Sequence, residues 1–448
     1  MFNYKTYFSN KKITMMGLGL LGRGVAVAKF LASCGAVLTV TDLKIRKELA
    51  PSLLQLKKYK NIRYVLGRHE LKDFSNCHLV IKAAGVPLDS PYVKEAIKNK
   101  VPVEMEASLF AKLSEAKIIG ITGTRGKTTT AHVIYEILKK AGKKVFIGGN
   151  IRGGSTLPFI SKFKRDCLVV LELDSWQLQG FGDSKISPNL AVFTTFYPDH
   201  LNYYKGSMKR YFDDKANILK YQKKGDFLIT QKETLPLIKR FYKNKIRSKV
   251  LVVSYQNLPK TWNIKIPGQH NLNNIACAVK VAQILGLKNH VIKKAVEEFS
   301  GVPGRLEYLR DINGVKIYND NNSTTPDATI AGLRALGSGK IKKIILIMGG
   351  TDKGLDMSNL CKEINKYCKT VVLLKESGTE KIKDQVNKLK DINVWEASGL
   401  KKSVELAMSQ AARGDTVIFS PAFASFGKFF KNEYDRNDQF IRIIKKIT

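Results

Sequence analysis

Short β-branched runs alternate with longer amphipathic stretches nearly from end to end of this chain. The clearest runs are Lys12–Met16, Val37–Thr41, Leu79–Ala83, Lys117–Thr122, Leu168–Leu173, Ala191–Thr195, Lys342–Met348, Thr370–Leu374 and Asp415–Ser420. A strand that is apolar throughout must be covered on both faces, and parallel neighbours need a crossover, usually a helix. The pattern therefore predicts the α/β class, with mainly parallel sheets between layers of helices. At 448 residues the chain exceeds what one core serves, and about three domains are expected. Its punctuation divides it into 1–107, 108–301 and 302–448, the last break falling at Gly301-Val302-Pro303-Gly304.

Composition excludes more than it selects. With 44% hydrophobic and 25% charged residues the chain is neither disordered nor fibrous. No apolar run approaches the ~18 residues of a membrane span, so no membrane insertion is expected. Six scattered cysteines without a CxxC pair point to buried thiols in a reducing cytoplasm. The unusual quantity is charge: 76 basic against 38 acidic residues gives +38. Such a balance raises a nucleic-acid partner, yet the basic residues are spread over the whole length and no nucleic-acid-binding signature accompanies them. No nucleic acid is therefore expected as the main ligand.

Two glycine-rich turns carry chemistry. Gly17-Leu18-Gly19-Leu20-Leu21-Gly22 directly follows a strand, and Asp42 closes the next one. Glycines there let a diphosphate approach backbone N–H groups at a helix N-terminus, and Asp42 could accept from a ribose or a base. The second turn is Gly123-Thr124-Arg125-Gly126-Lys127-Thr128-Thr129, a phosphate loop shorter than usual, since Ile121 stands where the first glycine is expected. Lys127 supplies a point charge to the phosphates and the Thr128 hydroxyl is placed for Mg²⁺. Glu172 ends a very hydrophobic strand and becomes a metal candidate if that strand neighbours the loop. Asp199-His200 follows a further strand, and the polar segment from Asn319 to Pro326 and the Gly349–Gly354 turn with Lys353 follow two others.

These pieces, in this order, resemble the Mur ligase family, the ATP-dependent amide-forming enzymes of peptidoglycan precursor synthesis. The resemblance rests on the shortened GTxGKT loop, GLGLLG, Gly148–Ile151, LELDSWQL, Asp199-His200-Leu201, Gly268–Asn271, NDNNSTTPDAT and Ser420–Phe426, and it covers essentially the whole chain. It implies a Rossmann-like first domain, a central P-loop ATPase-type domain and a C-terminal Rossmann-like domain. The branch it points to joins glutamate to UDP-N-acetylmuramoyl-L-alanine through an acyl phosphate, in a monomer. On this resemblance Gly19, Leu20, Leu21, Gly22 and Asp42 would hold the uridine diphosphate, and Asn150 and Gln177 the UDP-sugar. ATP would bind Gly123 to Thr129, with Asn271, Arg305 and Asp320 on the nucleotide's other side. Mg²⁺ would bind Thr128, Glu172 and His200, and Lys215 falls where the family carries a carbamylated lysine. Lys127, Glu172, His200 and Lys215 would be catalytic. Thr324, Lys353, Ser425 and Phe426 would receive the amino acid.

Three positions depart from the family. Arg125 stands where Asn is common, Asp174 where Ser is common, and Asn322 where a lysine lies near the glutamate carboxylate. The last leaves Lys353 as the one obvious cation there, and with it the choice between D-glutamate and L-glutamate. Folylpolyglutamate synthetase, a nicotinamide-dependent oxidoreductase fused to a P-loop module, and a nucleic-acid-binding NTPase are the competing readings.

Overall fold

The computed structural model describes residues 3–87, 89–114, 116–163, 166–242, 246–337, 341–425 and 427–447. The chain divides into two compact units, Met1–Asn257 with Ala276–Ile292, and Leu258–Ile275 with Lys293–Thr448. Two sheets lie in the first unit and one in the second.

The first sheet is built from β1 (Lys12–Met16), β2 (Val37–Asp42), β3 (Ile62–Leu66), β4 (Leu79–Lys82) and β5 (Val103–Glu104). All pairs are parallel and the order is β3-β2-β1-β4-β5. Strand order reverses between β1 and β4, which is where open α/β sheets take their ligands. The second sheet comprises β6 (Lys117–Thr122), β7 (Val145–Gly149), β8 (Leu168–Glu172), β9 (Leu190–Phe193), β10 (Phe227–Gln231) and β11 (Lys249–Val253). It is also parallel, in the order β11-β10-β9-β6-β8-β7. The expected neighbours are thus in place: β6 runs between β8 and β9, with Ile121 opposite Glu172.

The third sheet holds β12 (Glu307–Ile312), β13 (Val315–Asn319), β14 (Ile344–Met348), β15 (Cys368–Leu374), β16 (Asn393–Ala397) and β17 (Thr416–Phe419), ordered β12-β13-β17-β14-β15-β16. Only β12 is antiparallel, paired with β13 across a register shift between Tyr308 and Arg310. The apolar run of β14 has a simple cause. Ile344, Leu346 and Met348 join the core on one face, and Ile345 and Ile347 the core on the other. Cys77 is half-buried, the other five cysteines are buried, and all six are free thiols. Among the described residues no helix is long and apolar enough to cross a membrane.

Candidate active site

The phosphate loop leaves the C-terminal end of β6 and enters the helix Lys127–Lys140. Gly123 and Gly126 take φ of 143° and 86°, and a Cβ on Gly123 would lie 2.0 Å from Thr194 Oγ1. Neighbouring strand β9 pins the loop through the residues that follow it. Thr124 N donates to Thr195 O at 2.8 Å, Arg125 N to Thr195 Oγ1 at 2.9 Å, and Thr124 Oγ1 to Tyr197 O at 3.1 Å. Lys127 Nζ is held over the loop, donating to Gly123 O at 3.0 Å and Thr124 O at 3.1 Å. Thr128 and Thr129 are buried in the first turn behind it.

Glu172, 1% exposed, ends β8 beside this loop. Its backbone O accepts from Asn150 N at 2.8 Å. Gly149, with φ 88°, is obligatory in this turn, because a Cβ there would meet Glu172 O at 2.1 Å. Lys215 is brought in by the helix Met208–Lys220 and is 1% exposed, with Nζ donating to Gly123 O at 3.0 Å. Burial, and then the Lys127 ammonium, drive its pKa well below that of an ordinary lysine, against Asp174 and Asp199. Asp199 Oδ2 lies 3.5 Å from Arg125 Nη2, and Asp199 Oδ1 accepts from His200 N at 3.0 Å. The His200 ring tilts against Trp176 with centroids 4.7 Å apart. The structure therefore brings Lys127, Thr128, Glu172 and Lys215 to one end of one sheet, with Asp199-His200 following β9.

The donor set suits a hard cation with phosphate oxygens as further ligands. Thr128 offers a hydroxyl, Glu172 a carboxylate and His200 an imidazole, while Lys215 as an amine offers nothing to Mg²⁺. Its buried, depressed amine is however the form that adds CO₂, and the resulting carbamate would supply oxygens. Among the described residues no group of three or more His, Cys, Asp or Glu gathers into a preformed metal cage.

At the first sheet the turn after β1 is held shut from behind. Asp42 Oδ2 accepts from Leu18 N and Gly19 N at 2.9 and 3.0 Å, and Oδ1 from Lys44 N at 2.9 Å. Asp42 thus shapes the turn, a role its residue type and distance in sequence did not suggest. Leu20 and Leu21 stand half exposed on the turn, and Gly22, φ 86°, leads into the helix Arg23–Ser33. Arg23 Nη2 donates to Asn150 Oδ1 at 3.2 Å. Gln177 is buried and closes a capping box with Asp174, its Oε1 accepting from Asp174 N at 3.3 Å. Lys82 ends β4 across the switch point, 2% exposed, with Nζ donating to Val86 O at 3.0 Å. Burial pushes it down to about 8, against the charges of Asp183, Asp214 and Asp174. Arg23 and Lys82 carried no sequence mark, being two among 76 basic residues.

In the second unit Asp320 is buried and accepts from Leu306 N at 3.0 Å, Ser323 Oγ at 2.6 Å and Ser420 Oγ at 2.8 Å. Burial raises it to about 6, against these bonds and the nearby Arg305 charge. Asn271 is buried and donates to Pro267 O at 2.8 Å. Lys353 Nζ donates to Thr324 Oγ1 at 3.3 Å. Thr351 and Ala424 exchange backbone hydrogen bonds at 3.0 Å, which sets Ser425 one residue from the Gly349–Gly354 turn. Phe426 lies outside the described residues.

A phosphate loop with these partners, on three-layered α/β units, defines a nucleotide-dependent enzyme. Residues 11–104 match the N-terminal domain of Mur ligases of the MurD-like type, 121–261 the Mur ligase middle domain, and 304–423 the Mur ligase glutamate ligase domain. The UDP-N-acetylmuramoylalanine--D-glutamate ligase of Roseiflexus sp. (strain RS-1) is 35% identical over 98% of this chain and 99% of its own. That of Borreliella afzelii (strain PKo) is 35% identical over 97% and 98%. The chain belongs to the Mur ligase family. Among solved structures, the UDP-N-acetylmuramate-alanine ligase MurC of Thermotoga maritima superposes with a TM-score of 0.63 at 20% identity, covering 97% of this chain and 99% of that one. The MurF ligase of Thermotoga maritima, solved with ADP, gives 0.61 at 17% identity, over 100% and 96%. These likenesses support the α/β architecture.

Proposed function

We propose that this chain is an ATP-dependent ligase that joins D-glutamate to UDP-N-acetylmuramoyl-L-alanine in peptidoglycan precursor synthesis. The observation that carries the reading is the cluster of Lys127, Glu172 and Lys215 around one phosphate loop, in a chain matched end to end by D-glutamate ligases. The division of labour is 1–107 for the UDP-substrate, 108–301 for ATP and 302–448 for the amino acid. The protein acts in the cytoplasm as a monomer.

A carboxylate is a poor electrophile. Its oxygen attacks the γ-phosphorus of ATP, ADP leaves, and the carboxyl becomes an acyl phosphate. The glutamate amine, having lost its proton, attacks the acyl carbon, and phosphate departs from the tetrahedral intermediate. The protein's part is positioning and charge. Lys127 and the N–H groups of Gly123 to Thr129 cradle the phosphates, with Asn271, Arg305 and Asp320 assigned to the rest of the nucleotide. Mg²⁺, when bound by Thr128, Glu172, His200 and carbamylated Lys215, supplies Lewis-acid stabilisation of the phosphoryl oxygens. Gly19 to Gly22 with Asp42 hold the uridine diphosphate, and Asn150 and Gln177 the sugar. Thr324, Lys353, Ser425 and Phe426 receive the glutamate carboxylates.

The test is phosphate release with UDP-N-acetylmuramoyl-L-alanine, ATP and Mg²⁺ against a panel of D- and L-amino acids. D-glutamate is expected to be preferred. Lys127→Ala should lose on the order of 10²-fold or more in turnover with UDP-substrate affinity kept. Near-normal turnover in that variant, or preference for a neutral amino acid, defeats the reading.

A further inference from the structure

The helix Glu433–Lys445 starts from Asn432, whose side chain accepts from Tyr434 N and Asp435 N. Its first turn turns Arg436 inward, where the side chain is 0% exposed. The guanidinium donates through Nε to Asn321 Oδ1 at 2.8 Å, through Nη2 to Asn321 O at 2.8 Å, and through Nη1 to Phe423 O at 3.4 Å. Asn321 answers by donating from Nδ2 to Glu433 O at 2.9 Å. Every acceptor is a neutral carbonyl. Glu433 and Glu376 are near enough to be felt, but no carboxylate pairs with Arg436 among the described residues. Burial accordingly pulls this arginine down to about 9. A cation taken out of water without a counter-ion is costly, and the fold keeps it there.

The two acceptor residues identify what it serves. Asn321 is three residues from Thr324 and next to Asn322, and Phe423 is two residues from Ser425. The same two segments are tied again by Ala422 N donating to Ser323 O at 2.8 Å and by Ser420 Oγ donating to Asp320. Among the described residues Arg436 is the cation that joins these two segments to each other, in a family whose usual lysine is here Asn322.

We propose that Arg436 is a positioning residue of the amino-acid site. It fixes the 321–325 segment against the 422–425 segment, and its unneutralised charge selects a dicarboxylic over a neutral amino acid. This rests on the assignment of these segments to glutamate made above. The role would be indirect: the guanidinium is enclosed by protein and acts through Asn321 and Phe423 and through its field.

Steady-state phosphate release should be measured for wild type, Arg436→Met, Arg436→Lys and Asn321→Ala, varying D-glutamate, D-glutamine and ATP in turn, with thermal melts of each. Arg436→Met is expected to raise the D-glutamate KM about tenfold or more and to erode the preference over D-glutamine by a like factor. Its ATP KM should stay within about twofold, since the bonds lost are not to the nucleotide. Arg436→Lys, which keeps the charge without the fork, should recover the preference better than the KM. Asn321→Ala should raise the KM with the preference retained. Wild-type D-glutamate kinetics in Arg436→Met overturn the proposal, as does a KM rise shared equally by ATP and accompanied by a lowered melting point. Should Arg436→Met not fold, an unchanged D-glutamate KM in both Arg436→Lys and Asn321→Ala overturns it. A wild-type enzyme that releases phosphate with no glutamate isomer removes the functional reading itself.

Discussion

Three residues of the second unit set measurable quantities. Asn322 can donate hydrogen bonds but cannot neutralise a carboxylate, and charge-assisted bonds are roughly twice as strong as neutral ones. Asn322→Lys should therefore lower the glutamate KM with little change in that for ATP, while Lys353→Ala should raise it severely. Unchanged glutamate kinetics in Lys353→Ala would remove that lysine from the site. Asp320 makes a prediction about pH. Its folded pKa of about 6 lies above the ordinary 3.8, so the folded state binds more protons than the unfolded state across that window. The stability it contributes is fully present below about pH 4 and is lost as pH rises through 6, on the order of 3 kcal/mol in all. Asp320→Asn removes that slope, keeping an oxygen for Leu306 N and facing two hydroxyls that can rotate to accept. The melting temperature of the variant minus that of wild type should climb between pH 4 and 6 and then level; a flat difference contradicts the burial argument.

At the scale of elements, the strand–turn–helix joints govern the site. Gly123→Ala places a methyl 2.0 Å from Thr194 Oγ1 at φ 143°, so the joint between β6 and its helix cannot close around both. Nucleotide binding should fall steeply while far-ultraviolet circular dichroism stays near wild type; intact ADP binding by calorimetry would show the joint to be tolerant. Such joints were legible in the sequence because glycine, spacing and a flanking apolar run are local signals. β1 and β6 coincide with their expected spans, and β8, β14 and β17 lie within theirs. β3 and β10 are hard to single out because polar residues such as Arg63 and Thr230 interrupt them, and β11 because its short apolar run directly follows the basic stretch Lys239–Lys249. The site divided in the same way. Lys127 follows a marked glycine-rich turn and Glu172 ends a marked strand, whereas the buried Arg436 and Lys82 and the partly buried Arg23 owe their roles to tertiary packing.

For the molecule as a whole, the excess of 38 positive charges is distributed rather than focused. Non-specific attraction to polyanions is then expected, with a steep loss on adding salt. Binding to heparin or duplex DNA should vanish by about 0.3 M NaCl while D-glutamate-dependent phosphate release persists. Salt-resistant, sequence-selective binding would reopen a nucleic-acid role. The same charge makes copies of the chain repel one another; that repulsion fades as ionic strength rises, and the third sheet carries a safeguard against association that does not. Its outer strand β12 bears Glu307, Arg310 and Asp311, and Leu309 is the extra residue between Tyr308 and Arg310 in their pairing with β13. An evenly spaced rim of amide groups is a template on which another copy can crystallise its own strand, and a kinked, charged rim is not. The kink disfavours growth of fibres from this edge whatever the ionic strength, and straightening it by deleting Leu309 should expose the template.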